Sequence, residues 1–111
     1  MGQTLEGFEM VARVEDVPEG ELLGVEKTNG DRVCLVNCDG EIRAVSDNCT
    51  HQDFPMSAGL MQPGCVIECA WHGAQFDCRT GAVLRMPAVK ALPTYDVVVQ
   101  DGDILVGPRK R

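Results

Sequence analysis

Histidine is nearly absent from this chain: 2 residues in 111, His51 and His72. Any site that needs imidazole must draw on those two. No stretch approaches the roughly 18 consecutive apolar residues of a membrane-crossing helix. The opening MGQTLEGFEM has neither a charged start nor an apolar run, so it does not read as a secretory signal. Met1-Gly2 is not a myristoylation start, because Glu6 stands where that motif wants Ser or Thr. No G-x-G-x-x-G and no P-loop occurs, so nucleotide or flavin binding falls to another protein. Positive charge is scarce as well. Ten Lys and Arg face 17 Asp and Glu, a formal net charge of −7 that argues against nucleic acid and anionic membranes as partners. The basic end, Arg109-Lys110-Arg111, runs against this trend and reads as a solvated tail. An acidic surface suits basic patches on partner proteins and also keeps a small chain in solution.

What remains is the expectation of one domain over residues 1–111, a monomer in the cytoplasm. In that compartment the six cysteines are expected to be thiols or metal ligands rather than disulfides.

Helical periodicity is absent too. Short β-rich runs recur at 10–14, 22–25, 32–36, 41–45, 65–68, 95–99 and 104–106. Within Tyr95–Val99, Tyr95, Val97 and Val99 share one face, and Asp96 and Val98 take the other. Asn29-Gly30, Asp39-Gly40 and Asp101-Gly102 separate such runs and signal two-residue hairpins, because both residues tolerate positive φ. Many short strands with glycine turns predict an all-β, antiparallel sandwich or barrel. The stretch from Asn48 to Pro93 differs. It holds every proline except Pro18 and Pro108, both histidines, the single Trp71 and four of the six cysteines. It reads as a loop-rich insert between sheet-forming halves, where function usually sits.

Each histidine has a cysteine just before it. Cys49-Thr50-His51 is C-x-H, and Cys69-Ala70-Trp71-His72 is C-x-x-H, with seventeen residues, 52–68, between the pairs. Glycines follow both pairs, at Gly59 and Gly73, where tight loops need backbone freedom. Three accounts compete. One such pair alone is best read as coincidence, since free cysteine is a common core residue. Two pairs that use every histidine make coincidence a poor account. A structural zinc site also takes Cys₂His₂, although C-x-H is tight for one small ion. In a [2Fe–2S] cluster with two cysteines on one iron and two histidines on the other, each loop serves both irons, so a C-x-H pair straddles them without strain.

C-T-H, seventeen residues, then C-x-x-H-G-x-x-F-D-x-x-T-G resembles the Rieske signature. The resemblance continues through Pro87-Ala88, Pro93, Tyr95-Asp96-Val97 and Asp101-Gly102, as in Rieske-type ferredoxins of bacterial aromatic ring-hydroxylating dioxygenase systems. It spans about 47–106. It implies a Rieske fold: an antiparallel β-sandwich base with a smaller β cluster-binding subdomain at about 47–86. It also implies one [2Fe–2S] cluster held by Cys49, His51, Cys69 and His72, with 87–93 as a loop shielding it.

Histidine ligation has a physical consequence. A four-thiolate cluster is about −2 when oxidised, and two neutral imidazoles bring it to about 0, so an added electron meets less repulsion and the potential rises. Hydrogen bonds to sulfur raise it further. High-potential Rieske proteins add a disulfide between the boxes and serine and tyrosine hydroxyls near the cluster. Here Phe54 and Trp71 stand at the disulfide positions, Ala74 at the serine and Phe76 at the tyrosine. The expectation is a potential near the bottom of the roughly −150 to +300 mV Rieske range, flat near neutral pH and falling in alkali.

With both histidines on the cluster, no 2-His-1-carboxylate iron site can be built, so the chain is expected to carry electrons rather than catalyse. The resemblance implies two transient partners: an NAD(P)H-dependent flavoprotein ferredoxin reductase and a terminal aromatic ring-hydroxylating dioxygenase. Gln52, Asp53, Phe54, Pro55, Trp71 and Pro87 are the candidate docking residues; ordinary packing of the cluster loops is an equal alternative for Phe54 and Pro87. Cys34 and Cys65 read as core thiols, and Cys38 and Cys78 as residues near turns with no assigned role. Two other readings stay open: a small Rieske subunit of another redox enzyme, such as assimilatory nitrite reductase, and a zinc-stabilised interaction module.

Overall fold

The structure is a computed structural model that describes residues 7–48, 55–70, 73–85 and 91–110. Among the described residues, ten strands form two antiparallel sheets. The larger holds β1 (Glu9–Arg13), β2 (Leu22–Glu26), β3 (Arg32–Cys38), β4 (Glu41–Ser46), β9 (Thr94–Gln100) and β10 (Asp103–Arg109), in the spatial order β1-β10-β9-β4-β3-β2. The smaller holds β5 (Leu60–Gln62), β6 (Val66–Glu68), β7 (Gln75–Asp77) and β8 (Val83–Arg85), in chain order. Among the described residues the only helical pieces are two three-residue 3₁₀ turns, Val14–Asp16 and Met56–Ala58. The expected antiparallel all-β fold is present.

The base sheet curls until its first and last strands, β1 and β2, come into contact. Side chains close the seam. The Thr28 backbone N–H donates to the Glu9 carboxylate at 2.9 Å, and buried Lys27 donates from Nζ to the Gly107 carbonyl at 2.8 Å. Curling hides one face of every strand around a core that includes Leu35, Val33, Ile104, Val106 and Tyr95.

β3 explains how the two sheets join. Its sequence, RVCLVNC, barely alternates, and every residue after Arg32 is buried. Val33 and Leu35 face the base core, while Cys34, Val36 and Cys38 face a second core shared with the small sheet. A strand covered on both faces reads as a near-continuous apolar run. Met56, Ile67 and Phe76 fill the second core from the other side, each fully buried.

Two of the three glycine turns behave as expected. Asp39-Gly40 and Asp101-Gly102 both place each residue at positive φ, 55° and 87° in the first, 53° and 82° in the second. Asn29-Gly30 is corrected. Only Gly30 has positive φ, and Glu26 pairs with Arg32, so a five-residue loop rather than a two-residue turn joins β2 to β3. The Lys27 N–H donates to the Asp31 carbonyl at 2.8 Å and closes it.

Candidate metal centre

Two loops leave the sheets side by side. The first departs after β4. Asp47 is 4 % exposed and pins its base three ways. Its N–H donates to the Arg32 carbonyl (3.0 Å), its carbonyl accepts from the Met56 N–H (2.8 Å), and its carboxylate accepts from the Ser57 N–H (2.6 Å) and hydroxyl (3.0 Å). A bridge between Asn48 and Pro55 then closes the neck around residues 49–54. The second loop is the tip of the β6–β7 hairpin, closed by the Cys69 N–H donating to the Ala74 carbonyl at 2.8 Å. Gly73 stands there at φ 72°, a conformation that favours glycine.

The loops touch through backbone. A Cβ on Gly59 would collide with the Glu68 carbonyl oxygen, so the chain returning from the first loop lies directly on the residue before Cys69. This revises the expected reason for Gly59. Its φ is −87°, available to any residue, and close approach is what excludes a side chain. Glu68 is held in turn: its Oε1 accepts from Gln75 Nε2 at 2.8 Å and Gln62 Nε2 at 2.9 Å. These donors, Gln75 first, hold its carboxyl below the usual range. On the far side of the hairpin, buried Leu92 donates its N–H to the Gly81 carbonyl at 2.7 Å, fixing the chain where it returns from residues 86–90.

Of the four expected ligands, the structure places Cys69. It is fully buried, packed in one core with Ala74, Phe76 and Ile67. Cys49, His51 and His72 lie outside the described residues, as do Gln52, Asp53, Phe54, Trp71 and Pro87. Pro55 is exposed at the neck of the first loop. The donor chemistry and the loop bases fit an iron–sulfur cluster: two cysteines and two histidines on two loops whose bases are in contact. Ala74 and Phe76, both fully buried, bring no hydroxyl to it.

The remaining cysteines correct the sequence reading. Cys38 and Cys65 form a disulfide, with Cα atoms 5.5 Å apart, where six thiols or ligands were expected. Cys78 completes a trio whose sulfurs lie within 4.8 Å of one another. All three are buried. No sequence signal pairs Cys38 with Cys65, because they come from different sheets. Cys34 is a buried core thiol, as expected, and burial pushes its pKa far up.

Comparison with known proteins agrees with this geometry. The family model described as Rieske [2Fe-2S] domain matches residues 7–96. The 3-phenylpropionate/cinnamic acid dioxygenase ferredoxin subunit of Escherichia coli (strain K12) is 40% identical over 93 residues, covering 84% of this chain and 86% of that protein. The ferredoxin of carbazole 1,9a-dioxygenase from Nocardioides aromaticivorans IC177 superposes with a TM-score of 0.86 at 32% identity, covering 93% of this chain and 99% of that one. A chain from a complex of reduced oxygenase and oxidized ferredoxin in carbazole 1,9a-dioxygenase superposes with a TM-score of 0.87 at 26% identity, covering 96% and 97%.

Proposed function

This chain belongs to the Rieske [2Fe–2S] domain family, and from that premise we propose that it is a cytoplasmic, monomeric ferredoxin of an aromatic ring-hydroxylating dioxygenase system. It takes single electrons from an NAD(P)H-oxidising flavoprotein reductase and passes them to a terminal oxygenase. It is an electron-transfer component, not itself a catalyst. The observation that supports the reading is the contact between the two loop bases at Gly59 and Glu68, with the C-x-H box in the sequence of the first loop and the C-x-x-H box in that of the second.

In this reading Cys49 and Cys69 ligate one iron, and His51 and His72 the other, within a single domain over 1–111 whose cluster-binding part is about 47–86. The cluster supplies a one-electron couple. The chain's own residues do the rest. Buried Cys69 keeps its sulfur from water, the Asp47 and Asn48 contacts hold the first loop at its neck, and Ala74 and Phe76 withhold hydroxyl donors, which favours a low potential. Docking falls to Gln52, Phe54, Trp71 and Pro87, with weak binding suited to fast release. The nearness in sequence to a named dioxygenase ferredoxin subunit favours this over a fixed subunit of a nitrite reductase.

Reconstitution tests it. The purified protein is coloured and gives a Rieske EPR signal on reduction, which zinc does not. It relays electrons from a flavoprotein reductase to an aromatic-ring oxygenase. Isolation only within a fixed enzyme complex, with no transfer to any such oxygenase, would replace it with the subunit reading.

A further inference from the structure

A third thiol beside a disulfide allows exchange, and here the trio sits where the two sheets join. Cys38 ends β3 of the base sheet, just before the Asp39-Gly40 turn. Cys65 lies in the turn that opens β6, and Cys78 follows β7 directly opposite, donating its N–H to the Cys65 carbonyl at 3.0 Å. The Cα separation of Cys38 and Cys65, 5.5 Å, falls at the commonest value for disulfides. The 27-residue separation contains the whole first loop, 49–54, and Cys65 is joined to Cys69 by β6 alone. At roughly 3.3 Å per residue the trio is about 13 Å from Cys69, at the opposite end of the hairpin.

We propose that the Cys38–Cys65 bond is a reversible crosslink between the two sheets, that Cys78 is its exchange thiol, and that its state sets how firmly the cluster loops are held. The Cys78 thiolate attacks Cys65 Sγ, a Cys65–Cys78 bond forms, the old S–S bond breaks, and Cys38 leaves as a thiolate that takes up the proton Cys78 lost. Electrons balance without any oxidant. The product crosslinks only the β6–β7 hairpin and frees it from β3. Full opening consumes two molecules of a small thiol of the glutathione class and yields two protein thiols and one small disulfide. Closing is the reverse. Cys38 and Cys65, 8 % and 7 % exposed, are the members nearest to solvent for that reaction. Burial, then the Asp77 charge, pushes the Cys78 thiol above its ordinary value, so each exchange is slow at neutral pH. The thiol chemistry stands apart from the proposed electron route; the effect on the loops rests on the Rieske ligand reading.

The test uses the intact holoprotein, equilibrated across ratios of reduced to oxidised glutathione, quenched in acid, alkylated and mapped by peptide mass. The expected result is a Cys38–Cys65 crosslink that appears and disappears reversibly, with a minor Cys65–Cys78 form. Cluster absorbance under a chelator should decay several-fold faster in the reduced samples. In Cys78→Ala the same crosslink forms, but its opening slows several-fold. Alkylation of Cys38 and Cys65 at every ratio overturns the proposal, as does a crosslink that never opens. Stoichiometric zinc or copper on the three thiols overturns it in favour of a metal site. Equal cluster decay in both states removes the coupling to the loops. No reductase or oxygenase enters these readouts, so failed electron transfer leaves the result interpretable.

Discussion

The two sheets are built on different economies of length. Base strands run five to seven residues, and their sheet curls until its edge strands, β1 and β2, touch and enclose aliphatic side chains. Every strand of the small sheet is three residues long, and its ladder has two open edges, β5 and β8. Strands that short hold no independent structure in water. Their order is borrowed from β3, through Phe76, Ile67 and Met56 on a shared core, and from the Cys38–Cys65 disulfide. The region proposed to carry the cluster is thus the less self-sufficient one, in keeping with sites that loops rather than strands build.

Six substitutions would break or sharpen that contrast. The largest effect belongs to Cys69→Ser. It should abolish the visible and EPR signatures of the cluster while circular dichroism still reports the base sheet; an intact cluster spectrum would remove Cys69 from the ligand set. Next come paired core truncations. Phe76→Ala and Leu35→Ala should each cost about 2–5 kcal/mol, but in different ways. Phe76→Ala should release the cluster below the temperature at which the base unfolds, whereas Leu35→Ala should lower both transitions together. Coincident transitions in both variants would mean the two sheets are one cooperative unit.

Gly59→Ala drives a methyl into the Glu68 carbonyl and should cost about 1–3 kcal/mol, with faster cluster loss. Gly40 provides the control: an added Cβ there meets nothing, so Gly40→Ala should cost only the strain of its positive φ, about 1 kcal/mol, and leave cluster lifetime alone. The smallest effect is electrochemical. Ala74→Ser returns one hydroxyl donor near the cluster and should raise the midpoint by about 20–60 mV, one hydrogen bond's worth for a single electron. A midpoint already well above zero in the unaltered protein would refute the low-potential assignment itself.

The elements differ in how visible they were. Strands β3, β4 and β9 were legible because six or seven residues make a run long enough to stand out, apolar in β3 and alternating in β9, and because Asp39-Gly40 and Asp101-Gly102 punctuate them. β5, β7 and β8 left no trace, since three residues cannot establish a period and each forms only because a neighbour supplies its hydrogen bonds. Asn29-Gly30 carried the same dipeptide signal as the true two-residue turns, yet the register of Glu26 with Arg32 demanded a longer loop. In the candidate site, the C-x-H and C-x-x-H boxes were visible as spacing. The clamp of Asp47 on Ser57 was not, because a buried aspartate is known only once its surroundings are.

Sequence by itself determined the two cysteine–histidine boxes, the missing hydroxyls at Ala74 and Phe76, the acidic charge and the family. Those properties reside in residue identities and short spacings, which survive any packing. Tertiary structure alone decided that Cys38 meets Cys65 and Cys78 and that β3 is covered on both faces. Each of these depends on how two sheets with separate registers come together, a distance in space that no interval along the chain encodes.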